Sequence, residues 1–341
     1  MIDLFGAPGS PYTRKMLSLM RYRHIPYRVH WQRVGAKGVS QKNFPQPKVS
    51  LLPTFYFPNE MGALEAVTDS TPILRRLEQD YAGRSAIPAD TAYAFLNWLI
   101  EDYADEWLTK AMFHYRWHYP ADIKKAGSIL PRWGNISGSD EELATISELV
   151  STRQIDRLSY VGSNATTKPV IEGRFETFLT LFNNHLQVSP YLFGARPSSA
   201  DFAIYGQLTC LALFDPTPQA LITSRFPRIY AWVEIMEDLS GLSADETDWV
   251  AEDPAPTLTG LLAEIGSIYM PYLVANAEAV MSGAETMKTS IDGKPWEQTP
   301  FTYQAKCLAW TRDYYCNLPE DSKAKVDIWL KDTHILDYLT S

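Results

Sequence analysis

The chain has 341 residues, 45% hydrophobic and 21% charged, which is enough for two domains with a sizeable core. Its net charge of −9, from 31 basic and 40 acidic residues, and the lack of any basic cluster argue against a nucleic-acid partner. The start carries no signal-peptide pattern, no apolar run approaches the ~20 residues of a membrane span, and Cys210, Cys307 and Cys316 form no C-x-x-C pair. The expectation is a cytoplasmic protein with reduced, buried thiols, no membrane partner and no metal.

In chain order, residues 2–5 read as a strand and 11–23 as a helix carrying Met16, Leu17, Leu19 and Met20. Pro26 to Trp31 alternates like a second strand, and a polar stretch with Gly and Pro follows, expected to be irregular with a short helix. Leu51 to Phe57 makes a third strand, Ala63 to Val67 a shorter fourth, and helical periodicity returns from Asp69. A helix joining the first two strands makes a parallel β-α-β unit, while the close third and fourth strands make a hairpin. Beyond Ile87-Pro88 the texture is helical over 90–118, 140–160, 168–188, 199–213 and 227–239. A Pro-, Asp- and Glu-rich stretch lies near 244–256, and 258–283, 301–316 and 320–339 are helical again. This predicts a small α/β domain over 1–82, an all-helical domain over 88–245 and a helical C-terminal extension over 250–341.

Three local patterns in the first domain carry chemistry. In Gly6-Ala7-Pro8-Gly9-Ser10-Pro11, Ser10 stands at an N-cap with Pro at the first helical position. A hydroxyl there lies beside free backbone N–H groups and the positive end of the helix dipole, which stabilise an anion such as a thiolate; the same serine also serves as a plain cap. In Leu52-Pro53 a proline opens a strand, and a cis bond there would turn the preceding backbone outward, towards a ligand. Asp69-Ser70 starts another helix, able to cap it or to offer a carboxylate, a hydroxyl and an N–H to an amino-acid-like ligand.

The order and spacing of these patterns along a β-α-β-α-β-β-α plan resemble the thioredoxin-like domain of the cytosolic glutathione S-transferases, and the helical remainder resembles their second domain. The resemblance covers about residues 1–240. It implies that Ser10 meets the sulfur of glutathione, that Leu52 before Pro53 pairs through its backbone with the cysteinyl part, and that Asp69-Ser70 holds the γ-glutamyl end. The run Ser189 to Phe202 is similar to the family's signature before the core helix of the second domain, with Ser198 and Asp201 as a structural capping box. The chain departs from the family in having Leu51 where many relatives have Lys, leaving Lys48 or Lys42 as substitutes at the glycyl carboxylate. It also carries an insertion at about 119–167 and the 250–341 extension, which either caps the substrate pocket or packs outside.

With serine at the turn, the resemblance implies a transferase of alkyl or aryl groups. Ser10 would stabilise the thiolate of glutathione for attack on a small hydrophobic electrophile or a peroxide, without the mixed disulfide that cysteine would allow. A non-catalytic binding or scaffold protein of the same fold, and a glutathione-dependent isomerase or lyase, are the alternatives. The electrophile is expected between the Ser10 turn and the first long helix of the second domain, with Tyr12, Tyr103 and Trp107 as candidate walls. The acidic run Glu101, Asp102, Asp105 and Glu106 on that helix reads as solvated or dimer-facing, with Asp102 a candidate to reach a neighbouring subunit in the homodimer that the family implies. His114 and His118, at i, i+4, read as an aromatic helix face because no third metal ligand accompanies them.

Overall fold

The run Ile2–Phe5 forms β1, the centre from which the first domain is built. A computed structural model describes residues 1–31 and 44–340 of the chain; the short helix expected after Trp31, and Lys42, lie outside the described residues. β1 pairs in parallel with β2 (Tyr27–His30), in register Ile2 to Tyr27, because α1 (Pro11–Tyr22) carries the chain back between them. On its other side β1 pairs antiparallel with β3 (Thr54–Pro58), which pairs antiparallel with β4 (Leu64–Thr68), giving the order β2-β1-β3-β4. Met16, Leu17, Leu19 and Met20 of α1, and Ile73, Leu74 and Leu77 of α2 (Ser70–Asp80), are buried in the core around this sheet. The Leu52-Pro53 peptide bond is cis.

The second domain is helical, as the periodicity predicts. α3 (Thr91–Tyr103) runs through a π-helical turn, Ala104–Leu108, into α4 (Thr109–His118). The insertion is a helix pair, α5 (Pro120–Gly134) and α6 (Asp140–Ile155), packed on each other and on α4. There follow α7 (Lys168–His185), α8 (Ser199–Leu208) ending in a π-helical turn Thr209–Phe214, α9 (Pro216–Arg225) and α10 (Pro227–Met236). At the start of α8 the Ser198–Asp201 box closes in both directions, and buried Asp201 also accepts from the Leu192 N–H at 3.0 Å. That is the structural role its sequence position predicts.

The extension is less uniform than expected. α11 (Pro256–Glu264) continues through a π-helical turn, Ile265–Tyr269, into α12 (Met270–Met281). This continuous helix is long and apolar enough to cross a membrane by length and composition, which the sequence reading did not anticipate, and 61% of its most apolar window is buried inside the fold. β5 (Met287–Ile291) and β6 (Lys294–Gln298) then form a hairpin inside a region expected to be wholly helical. Its turn residues, Asp292 and Gly293, both have positive φ, 54° and 68°, as a tight two-residue hairpin requires. α13 (Thr302–Cys316), α14 (Glu320–Leu330) and α15 (Leu336–Leu339) end the chain, with α13 and α14 packed along α3. Cys210 and Cys307 are buried thiols, whereas Cys316, expected to be buried, is exposed.

The two domains meet through α1 and α8, which approach closely because Gly206 has no side chain: a Cβ there would sit 2.6 Å from the Pro11 carbonyl oxygen. Beside this contact Lys15 is fully buried, its ammonium 2.8 Å from Glu101 and 2.5 Å from Asp105. Arg75 of α2 reaches the second Glu101 oxygen at 2.7 Å. Burial opposes ionisation of Glu101, yet Arg75 and Lys15 hold its carboxyl below the usual range. Removing one partner of such a cluster strands a buried charge, at about 3–5 kcal/mol. Lys15→Met is therefore expected to lower unfolding free energy in chemical denaturation by about that amount, and adding Asp105→Asn to recover part of it. A loss below about 1 kcal/mol would contradict this account of the interface.

Candidate functional site

Ser10 caps α1 as its sequence predicts: its Oγ accepts from the Thr13 N–H at 3.2 Å. The same hydroxyl donates to the Leu52 carbonyl at 3.2 Å, so the helix start and the cis-proline loop meet at one point although 42 residues separate them. Ser10 and Leu52 are both partly exposed, and Pro53 is buried beneath them. Leu51 is an exposed apolar side chain, and Lys48 is exposed on the same loop.

Asp69 sits at the joint between β4 and α2 with φ 84°, an uncommon conformation for a residue with a side chain. One carboxylate oxygen caps α2 through the Thr71 N–H at 3.3 Å. The other accepts a hydrogen bond from the Tyr303 hydroxyl of α13 at 2.7 Å. Ser70 is nearly buried behind it. The C-terminal extension thus touches one of the residues expected to hold the ligand, and nothing local in the sequence signals a contact across 234 residues.

Tyr12, expected on a substrate wall, instead turns its hydroxyl into the domain interface, where it donates to the Asp105 carbonyl at 2.8 Å. Tyr103 and Trp107 are core residues: Tyr103 packs on Phe178 and Tyr269, and Trp107 on Tyr269, Tyr272 and Trp296. The acidic run is likewise drawn into the protein, not solvated: α1 covers Glu101 and Asp105, and the extension covers Glu106 and part of Asp102. Asp102, a candidate for reaching a neighbouring subunit, accepts from the Tyr269 hydroxyl at 2.7 Å and from the Cys307 thiol. Glu106 accepts from Gln304 at 2.9 Å, and Lys110, one turn further on, donates to the Tyr272 hydroxyl at 2.9 Å.

What faces the Ser10 turn is the insertion. The Trp133 ring of α5 lies against Gly9, where a Cβ would come within 2.7 Å of it, so a larger residue would have to displace the indole. Arg116 of α4 braces the same turn by donating to the Gly9 carbonyl at 2.7 Å while its Nε bonds to buried Asp215 at 3.0 Å. On one side of this contact opens a cleft of about 580 Å³, bounded by Pro8, His30, Trp31, Trp133, Asn135 and Ile136. A smaller cavity of about 120 Å³ lies between Gly9, Arg116, Cys210 and Phe214, with Trp133 lining both. The electrophile was expected between the turn and the first long helix; the structure puts α5 there. The apolar spacing of Ile123, Ala126, Leu130 and Trp133, behind Pro120 at a helix start, is the signal that could have found it.

His114 is held within the fold. Its ring nitrogens meet Ser163 at 2.7 Å and Glu172 at 3.1 Å, and it stacks on His118. Among the described residues no group of three potential ligands could hold a metal ion.

The buried ladder Asp102, Glu106 and Lys110 makes stability depend on pH. Burial and the neighbouring Asp102 carboxyl push Glu106 up to about 8, and burial pushes Asp102 up to about 7. Both groups keep a proton in the fold where the unfolded chain has lost it, so their stabilising contribution is full below the ordinary carboxylate range and is lost as pH rises through 7 to 8. Burial pulls Lys110 down to about 7, so its contribution has the reverse slope, lost as pH falls from the usual lysine range toward 7. Glu106→Gln keeps an acceptor for Gln304 and removes the titration. It is expected to leave the melting temperature at about pH 5 unchanged and to raise it at about pH 9 relative to the parent. Parallel pH profiles for the two proteins would contradict the assignment.

The glutathione S-transferase N-terminal domain model matches residues 4–85, and the glutathione S-transferase C-terminal domain model matches residues 155–244. No curated protein matches the sequence. Among solved structures, a GST-like protein from Pseudomonas syringae is similar at 14% identity and a TM-score of 0.45, over 69% of this chain and 66% of that one. A glutathione S-transferase from Methylobacterium radiotolerans, solved with glutathione sulfonate, is similar at 17% identity and a TM-score of 0.41, over 69% and 90% of the two chains. A glutathione transferase family member from Pseudomonas fluorescens, solved with S-(propanoic acid)-glutathione, is similar at 18% identity and a TM-score of 0.37, over 71% and 97%.

Proposed function

The chain belongs to the glutathione S-transferase superfamily, and on that premise we propose that it is a glutathione-dependent transferase using Ser10 to stabilise a thiolate. The observation that carries the reading is the meeting of the Ser10 hydroxyl with the Leu52 carbonyl, 3.2 Å apart, at the N-terminus of a twelve-residue helix. The backbone beside cis-Pro53 takes the cysteinyl part of glutathione, and Asp69 with Ser70 takes the γ-glutamyl end. The Ser10 hydroxyl turns from the Leu52 carbonyl to the sulfur and donates to it, assisted by the positive end of α1. A free thiol titrates near ~8.5, so any preference for the anion raises the fraction able to attack at neutral pH. The thiol proton passes to solvent, the sulfur forms a bond to the electrophilic carbon, and the leaving group departs with its electron pair. Serine contributes no sulfur of its own, so no mixed disulfide with the protein arises at this turn.

The cleft beside Pro8 serves the acceptor. Its volume lies within the range for a small ligand, and the Trp31 and Trp133 indoles with Ile136 suit an apolar, flat molecule. One observation favours the alternative of a scaffold protein of this fold that has lost its ligand: exposed Leu51 offers nothing to the glycyl carboxylate. No thermal stabilisation by millimolar glutathione would select that alternative.

Ser10→Ala is expected to lower kcat/KM for conjugation about 10- to 100-fold and to abolish the ultraviolet absorbance of bound thiolate, the loss of one hydrogen bond to a charged atom. Unchanged turnover would remove Ser10 from the chemistry. Trp133→Ala is expected to raise KM for an aromatic electrophile several-fold with little change in KM for glutathione. An unchanged electrophile KM would place the acceptor elsewhere.

A further inference from the structure

The extension's part in the site follows from one contact. Tyr303 stands in the first turn of α13, and its hydroxyl donates to the Asp69 carboxylate at 2.7 Å. Asp69 has φ 84°, an uncommon backbone conformation for a residue with a side chain, which persists because its surroundings hold it. Its two oxygens are held separately, one by the Thr71 N–H at the start of α2 and one by Tyr303. Each carboxylate oxygen has two acceptor positions, so a ligand ammonium can still be received by a carboxylate that these two bonds have already oriented. Burial, and then the adjacent Asp69 charge, push the Tyr303 phenol far above its ordinary range, so it stays a donor at every pH the protein experiences.

Tyr303 itself is held by the way α13 is docked. Its ring packs edge-on against Trp310 and lies near Phe301. One residue on, Gln304 donates to Glu106 at 2.9 Å and accepts from the Tyr272 hydroxyl at 2.5 Å. One turn on, Cys307 bonds to Asp102. Asn276 of α12 holds the entry to the helix from both sides, donating to the Phe301 carbonyl and accepting from the Phe301 N–H at 2.9 and 2.8 Å. The start of α13 is therefore anchored to the buried ladder of the second domain while its tyrosine reaches the first.

We propose that Tyr303 is a positioning residue for ligand recognition: it orients the Asp69 carboxylate for the γ-glutamyl ammonium, and so makes the C-terminal extension part of the glutathione site. The inference rests on the proposed binding of glutathione at Ser10, Leu52 and Asp69. Because binding and docking share one contact, they are linked: docking of α13 tightens glutathione binding, and glutathione protects α13 by the same factor.

The test is Tyr303→Phe, which keeps the ring and removes only the donor. Glutathione KM is expected to rise about 5- to 10-fold, the range for the net loss of one ordinary hydrogen bond, with kcat changed less than about twofold. In the parent protein, saturating glutathione is expected to slow amide hydrogen exchange in residues 302–308, and in the variant that protection is expected to be lost. An unchanged KM with unchanged exchange would overturn the proposal, and a lower KM would overturn it by making Tyr303 a competitor for the carboxylate. If the parent protein itself shows no saturable binding of glutathione, it is the underlying functional reading that fails.

Discussion

The buried cluster around Lys15 sets the geometry of everything that bears on function. Lys15 lies on the same helix that Ser10 caps, so its ion pairs with Glu101 and Asp105 fix the register of α1 against the second domain. The Tyr12 hydroxyl on the Asp105 carbonyl repeats that register one turn earlier. The same two carboxylates also hold α2: Arg75 reaches Glu101, and the Thr71 hydroxyl reaches Asp105 at 3.4 Å. One cluster thereby aligns the two helix starts that present Ser10 and Asp69-Ser70. Burying charges is costly, and the arrangement persists because each charge has a partner of opposite sign and further hydrogen bonds. Ser199 of α8 supplies one of these, donating to Glu101 at 2.6 Å.

Around that frame the chain adds two further pieces. The α5–α6 insertion comes over the Pro8–Gly9 turn, with Trp133 occupying the space that a glycine leaves open. The extension comes over α3 and the π-helical turn behind it, covering Tyr103, Trp107, Glu106 and part of Asp102. The π-helical turn at Ala104–Leu108 lies where the helix must serve both neighbours, with Asp105 facing α1 and Glu106 facing α13. In the proposed site, the insertion therefore shapes the thiol end and the extension touches the amino end.

Much of the first domain was legible because its signals are local. Period-two runs, the Ser10-Pro11 helix start and the Leu52-Pro53 strand opening each depend on neighbours in sequence, and the elements fall within a few residues of their expected bounds. The Ser198–Asp201 box was legible for the same reason. The acidic run was misread because four carboxylates on a helix ordinarily mean solvent, and partners from distant segments, among them Lys15, Arg75, Tyr269 and Gln304, make their burial tolerable. Tyr103 and Trp107 were misread for the complementary reason: aromatic spacing marks an apolar face but not whether that face meets a ligand or another helix. The Asp292-Gly293 hairpin carried a readable turn signal that helical periodicity on both sides obscured. Tyr303 on Asp69 had no local signal, since its meaning depends wholly on where α13 docks.

The central claim is that Ser10, the backbone beside cis-Pro53 and Asp69 form one glutathione site within this frame. Calorimetric titration of reduced glutathione into the full-length protein, beside the Asp69→Ala variant, tests it most directly. The account predicts saturable binding at one site per chain in the parent and a loss of at least about tenfold in affinity in the variant, as removal of a charged partner entails. Equal binding by the two proteins, or no saturable heat with the parent at millimolar glutathione, would contradict it.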